Sequence, residues 1–200
     1  YEFDPPAFYD GDFAWNAGVR RLSYSDGTPP PPSGPYPGYL PNGAASDFNA
    51  SYSPDGTKIV FASDRIGGVE LFIMNASGNG PVQLTSQGCV NETPTWSPDG
   101  RRIYWSSNCD GDFDIYRADG AYNYDGSWNV DARLVNVTQR VDGPADERFA
   151  RVNPQGWTVA YSSNRNGVWD IYIVNTGTGE ERALVRSAGN DEAPTWSPDG

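Results

Sequence analysis

The sequence predicts an all-β chain, a four-bladed β-propeller of four-stranded antiparallel blades whose last blade is built from both chain termini. Three observations lead there. Four equivalent turns, Ser53-Pro54-Asp55-Gly56, Ser97-Pro98-Asp99-Gly100, Asn153-Pro154-Gln155-Gly156 and Ser197-Pro198-Asp199-Gly200, end on glycines 44, 56 and 44 residues apart (56→100→156→200), a period typical of one propeller blade. An alternating apolar run follows each of the first three turns, as a half-buried strand requires. Finally, 23 Gly, 17 Pro and abundant aromatic residues in 200 positions suit short strands and many turns, leaving little room for helices.

The elements follow in order within each repeat. A first strand runs into the turn, as at Thr95-Trp96 and Thr195-Trp196. A second covers Lys58–Ala62, Arg102–Ser106 and Thr158–Ser162, and is closed by Ser63-Asp64-Arg65, Ser107-Asn108-Cys109 and Ser163-Asn164-Arg165. The third is Glu70–Met74, Asp114–Arg117 and Asp170–Val174, and the fourth is Val82–Thr85, Arg133–Thr138 and Arg182–Val185. Four strands per repeat make one blade. Blade one then spans 47–88, blade two 89–142 and blade three 143–190 within a single domain. Blade two exceeds its neighbours by 12 residues (56 − 44), most of them at Ala118–Ala132, which is expected to protrude as a loop.

Blade four is expected to combine residues 193–200 with 1–25. Asp10-Gly11-Asp12-Phe13 matches Asp110-Gly111-Asp112-Phe113, and Asp10 would follow Gly200 by the 10 residues that separate Asp110 from Gly100 if the ends were joined. Ala193–Ser197 supplies the first strand; Tyr1–Ala7, Phe13–Asn16 and Val19–Ser25 supply the others. Residues 26–46 hold four consecutive prolines, which fix the backbone and remove ladder donors, so they form an extended arm or a solvated loop. Pro29, Pro32, Tyr36 and Tyr39 of that arm, with Tyr122, Tyr124 and Trp128 of the blade-two insertion, are candidate contact residues for another protein or a sugar.

The phrase Pro94–Gly100 followed by Ile103–Asn108 resembles the repeat of TolB-like propellers, as do Ala193–Gly200 and Ser53–Arg65. The resemblance implies strands arranged around an axis, with the strand before each Ser-Pro-Asp-Gly turn lining a central channel. It implies little about activity, because this repeat serves translocation proteins, peptidase propellers, lyases and surface proteins alike. TolB itself has six blades and a further N-terminal domain, whereas four blades are expected here. Lyases of this kind use histidine-bearing metal sites, and this chain contains no histidine.

Charge and composition narrow the function classes. The net charge is −12 (14 − 26), so no basic surface is available for phosphates and nucleic acid is not an expected partner. Without histidine the commonest general base is missing, and no Ser-His-Asp, Cys-His or zinc arrangement can be assembled; a non-catalytic role is expected. No apolar run approaches the length of a membrane span, and the chain reads as mature and soluble.

Cys89 and Cys109 lie in loops expected on one propeller face, as a disulfide there or as two free thiols. A bridge would indicate an oxidising compartment: extracellular, cell-surface or periplasmic. Asn49, Asn75, Asn91 and Asn136 each begin an Asn-x-Ser/Thr triplet and are candidate glycan acceptors. Acidic groups recur ahead of the inner strands at Asp47, Asn91-Glu92, Asp146-Glu147 and Asp191-Glu192. Their convergence implies either a hard cation, Ca²⁺ being the best match, or a ring of hydrated turn carboxylates. Asp110 and Asp112 offer a looser calcium possibility, or ordinary Asp-Gly turns.

These features point to an extracellular structural or protein-interaction module, calcium-stabilised and able to assemble through its terminal strands into a surface or extracellular filament. The alternatives are a carbohydrate-binding or carbohydrate-active propeller, or a TolB-like periplasmic interaction protein.

Overall fold

The computed structural model describes residues 45–78, 80–122, 128–139 and 144–200. Twelve strands form three antiparallel four-stranded sheets, each in chain order. The first sheet contains β1 (Asp47–Tyr52), β2 (Lys58–Ser63), β3 (Glu70–Asn75) and β4 (Val82–Gln83). The second contains β5 (Asn91–Trp96), β6 (Arg102–Ser107), β7 (Asp114–Tyr122) and β8 (Trp128–Asn136), and the third β9 (Glu147–Val152), β10 (Thr158–Ser163), β11 (Asp170–Asn175) and β12 (Glu181–Val185). Among the described residues there is no helix.

Each Ser-Pro-Asp-Gly turn is built by its own side chains. Ser53 Oγ donates to Asp55 Oδ1 at 2.6 Å and accepts from Lys58 N at 2.9 Å, while Gly56 N reaches Ser53 O at 2.9 Å. Ser97 repeats this set with Asp99 and Arg102. In blade three the Asn-Pro-Gln-Gly variant keeps the geometry with amides, Asn153 Nδ2 donating to Gln155 Oε1 at 2.7 Å. The closing glycine has φ +69°, +67°, +83° and +83° at Gly56, Gly100, Gly156 and Gly200, a region open to glycine without steric cost.

A second device recurs with the same spacing. Every inner strand slips by one residue against its neighbour, between Phe48 and Ser51, between Glu92 and Thr95, and between Arg148 and Arg151. The third residue of each, Asn49, Thr93 and Phe149, has φ +53°, +54° and +61°. Such a bulge bends the strand and redirects its side chains. Ala193 shares the conformation at φ +53°, and Trp196 Nε1 donates to Arg151 O at 2.9 Å as Trp96 Nε1 does to Ser51 O at 3.2 Å. The segment Asp191–Ser197 therefore has the backbone of an inner strand. It is assigned to no sheet among the described residues, and the other strands expected for that blade lie outside them.

The second and third strands are buried on both faces, because each sheet is sandwiched against the next blade. One core joins blades one and two through Val60, Ala62, Leu71 and Ile73 against Trp96, Ile103 and Trp105. A second joins blades two and three through Tyr104 and Ile115 against Ala150, Val159, Tyr161 and Tyr172. Alternate residues of β6 thus serve different cores, as period-two geometry dictates.

The expected blade-two loop at Ala118–Ala132 is mostly a longer hairpin. β7 and β8 continue outward to pair Gly120 with Val130 and Tyr122 with Trp128, since the insertion alternates well enough to extend the ladder. Tyr124 lies outside the described residues, as do Pro29, Pro32, Tyr36 and Tyr39. Trp157 is 66% exposed because it sits on the turn just before β10.

Candidate functional site

At one end of the inner strands, Thr95, Arg151 and Thr195 come together with the adjoining Pro98, Val152, Pro154, Trp196, Ser197 and Pro198 around a groove of about 290 Å³. The turn prolines form its apolar rim, and Trp196 is fixed through its indole bond to Arg151 O. Among the described residues Arg151 is the one cation lining the groove. Its guanidinium donates to Ala150 O at 2.8 Å, and no carboxylate among the described residues pairs with it. Burial alone lowers its pKa. A half-desolvated cation without a counter-ion, in a chain of net charge −12, is suited to hold an anionic group between apolar surfaces.

At the opposite end, the acidic residues expected ahead of the inner strands mostly open those strands, Asp47 in β1, Asn91 and Glu92 in β5 and Glu147 in β9, with Asp146 just ahead, and arginines pair with most of them. Asp47 pairs with Arg65 at 2.6 Å. Glu92 pairs with Arg148 at 2.8 Å, and Arg148 also reaches Asp146 at 3.5 Å and stacks 3.6 Å from the centre of the Phe113 ring. Asp146 Oδ1 accepts from Phe113 N at 3.1 Å. Glu147 is buried, accepting from Ser163 Oγ at 2.6 Å with Arg165 at 3.4 Å. Glu192 is exposed, and one oxygen of Asp191 is buried without a partner. Arg65, Arg148 and Arg165 thus offset part of the negative charge at Asp47, Glu92, Asp146 and Glu147. Among the described residues no three acidic or cysteine side chains stand together as a metal site.

Asp110 and Asp112 lie near Asp114, to which both add like charge. Asp110 Oδ2 accepts from Asn136 Nδ2 at 2.8 Å and bonds the Tyr116 hydroxyl, whose pKa is pushed up to about 12 by burial first and then by this carboxylate. The same Asn136 amide donates to Asp114 at 2.8 Å.

A disulfide joins Cys89 and Cys109, whose Cα atoms are 5.1 Å apart. Of the glycan candidates, Asn49 and Asn75 are exposed. Asn91, by contrast, is fully buried, its amide donating to Glu70 at 2.9 Å and its carbonyl accepting from Trp105 Nε1 at 2.9 Å. Sequence reasoning missed Arg151 and Arg148. The signal available was their place, one at each end of the same inner strand.

The TolB beta propeller domain model matches residues 39–142. The chain is 31% identical over 134 residues to the Protein TolB homolog of Chlorobaculum tepidum, covering 67% of this chain and 28% of that one. It is 28% identical over 149 residues to the Protein TolB homolog of Chlorobium luteolum, covering 72% and 30%. The chain therefore spans under a third of these relatives' length. TolB from Acinetobacter baumannii superposes with a TM-score of 0.53 at 21% identity, covering 72% of this chain and 33% of that one, a likeness of fold. Repeat, blade structure and matched segment agree, and the chain belongs to the TolB beta-propeller domain family.

Proposed function

We propose that this protein is a non-catalytic protein-interaction module of the periplasm or another oxidising compartment, and that it grips an extended peptide by a carboxylate in the axial groove. The observation carrying this reading is Arg151, unpaired within the described residues and set among Trp196 and the turn prolines. Guanidinium and carboxylate match as a bidentate pair, and the indole and proline rings offer apolar surface to the flanking residues. The Cys89–Cys109 bridge supports the compartment. The lack of histidine supports a binding role over catalysis.

The test is a titration of short peptides bearing one carboxylate between apolar residues, followed by intrinsic tryptophan fluorescence. The expected result is a saturable change that weakens at least about tenfold when the carboxylate is amidated or when Arg151→Ala is introduced. Equal response to acid and amide peptides would remove the reading.

A second reading concerns assembly, motivated by the inner-strand backbone of Asp191–Ser197. Strands from residues 1–25 complete this blade, either within the chain or from a neighbouring copy. The second arrangement is head-to-tail and propagates as a filament unless rotation closes it.

A further inference from the structure

The carboxylate that opens each third strand faces the residue that opens the next inner strand, and the chemistry of this contact changes from seam to seam. Between blades one and two, Glu70 Oε2 accepts from Asn91 Nδ2 at 2.9 Å, with Thr85 Oγ1 at 2.5 Å and Gly88 N at 2.8 Å completing the shell. Acid meets amide, and every oxygen is satisfied. Between blades two and three, Glu147 stands where Asn91 did, with its own backbone N–H on Phe113 O as that of Asn91 is on Val69 O. The counterpart of Glu70 here is Asp114, next in the chain to Phe113, and its carboxyl group lies close enough to Glu147 to act on it. Glu147 is 1% exposed and Asp114 8%. Beyond blade three Asp191 holds the same repeat position, its N–H reaching O of Trp169, the residue before Asp170, at 2.7 Å. Asp170 Oδ1 and Asp191 Oδ2 are buried with no hydrogen-bond partner among the described residues.

An ionised carboxylate only accepts hydrogen bonds, so two of them in contact can bond to each other only when one carries a proton. Two charged carboxylates in a dry contact also repel strongly, and protonating one relieves the repulsion. We infer that the seam between blades two and three is a proton-binding site, in which Asp114 and Glu147 share one proton that helps to hold the blades together.

The surroundings of the pair support this assignment. Toward Glu147, β10 presents Ser163 and Tyr161, and the following loop presents Arg165, which is itself drawn off by Glu181 of β12 and by the Tyr161 hydroxyl at 3.0 Å. Toward Asp114, Thr138 Oγ1 at 2.7 Å and Asn136 Nδ2 at 2.8 Å donate, while Asp110 and Asp112 add like charge. On β9 itself Arg148 is turned to Glu92, and Asp146 just ahead accepts from Phe113 N. Burial is the largest influence on Glu147 and, with Asp114 adding to it, outweighs Ser163 and Arg165, pushing the carboxyl up to about 8. Burial raises Asp114 as well.

A folded-state pKa above the unfolded value of about 4.3 means that the folded chain binds the proton more tightly. The stabilisation is fully present below the ordinary carboxylate range and is lost as pH rises through about 8. With no histidine in the chain, no side chain of ordinary pKa titrates across pH 6 to 8 to obscure the effect.

The experiment measures urea unfolding from about pH 5 to pH 9 for the full chain and for Glu147→Gln and Asp114→Asn. The Glu147→Gln change places at this seam the kind of amide that Asn91 supplies one seam earlier. The unfolding constant of the unaltered protein is expected to rise with pH at least about tenfold more than that of either variant. Its infrared spectrum near neutral pH is expected to show a protonated-carboxyl carbonyl band that both variants lack. Equal pH dependence in all three proteins, or no such band in the unaltered protein, would overturn the assignment. Should one variant fail to fold, the other variant and the band of the unaltered protein decide the matter.

Discussion

Position 109 is a cysteine where blades one and three have Arg65 and Arg165. In those blades the arginine donates through Nε to Ser63 or Ser163 at 2.9 Å and lies over the aromatic pair beneath it, Phe61–Phe72 or Tyr161–Tyr172. It then ties the loop to the carboxylate opening the inner strand, Asp47 or Glu147. Blade two makes the same tie covalently, with Cys109 bonded to Cys89 and Ser107 Oγ donating to Cys109 Sγ at 3.1 Å. Closing a loop with a sequence separation of 20 restricts the unfolded chain, so replacing both cysteines by serine is expected to cost about 3 kcal/mol, measured by urea unfolding. A cost no larger than that of losing a surface ion pair, under about 1 kcal/mol, would show the bridge to be equivalent to the arginine ties. The pairing was legible in the sequence because the loop positions are fixed by the repeat. The arginine ties were not, because a lone Arg after Ser-Asp names no partner.

The recurring elements are the turn and the bulge, each at intervals of 44, 56 and 44 residues (49→93→149→193 for the bulge). The turn is visible in the sequence since its conformation demands glycine and its hydrogen bonds demand short polar side chains. The bulge is not, because Asn49, Thr93, Phe149 and Ala193 share no residue type; the strand is forced into it by contacts with its neighbours. A Cβ at Gly56 or Gly156 would meet nothing within 4 Å, so the whole cost of Gly56→Ala or Gly156→Ala comes from the left-handed backbone. Each is expected to lower stability by about 1–2 kcal/mol and by similar amounts, read from thermal or urea unfolding. A neutral result in either would mean that the turn relaxes to another type.

For the molecule as a whole, the open question of architecture is what covers Asp191–Ser197. Under the proposed closure by residues 1–25, the amides of Thr195 and Trp196 are held in a ladder and are expected to exchange with solvent slowly, comparably to those of β9. Free exchange there would reject the closure. If the strands come from a neighbouring copy, the mass by light scattering rises with concentration while the protection persists. The sequence by itself determined the all-β class, the blade repeat and the turns, and placed the two cysteines in loops of one face, because these depend on spacing and on residue types with narrow conformational or chemical demands. The fate of the acidic residues was decided only by the tertiary structure. Asn91, Glu147 and Asp191 occupy one repeat position, yet Asn91 meets Glu70 and Glu147 faces Asp114, 21 and 33 residues earlier (91 − 70, 147 − 114), on the neighbouring blade. Burial and contact across that seam set whether a carboxyl is paired with an amide, an arginine or another acid, and no local pattern carries that information.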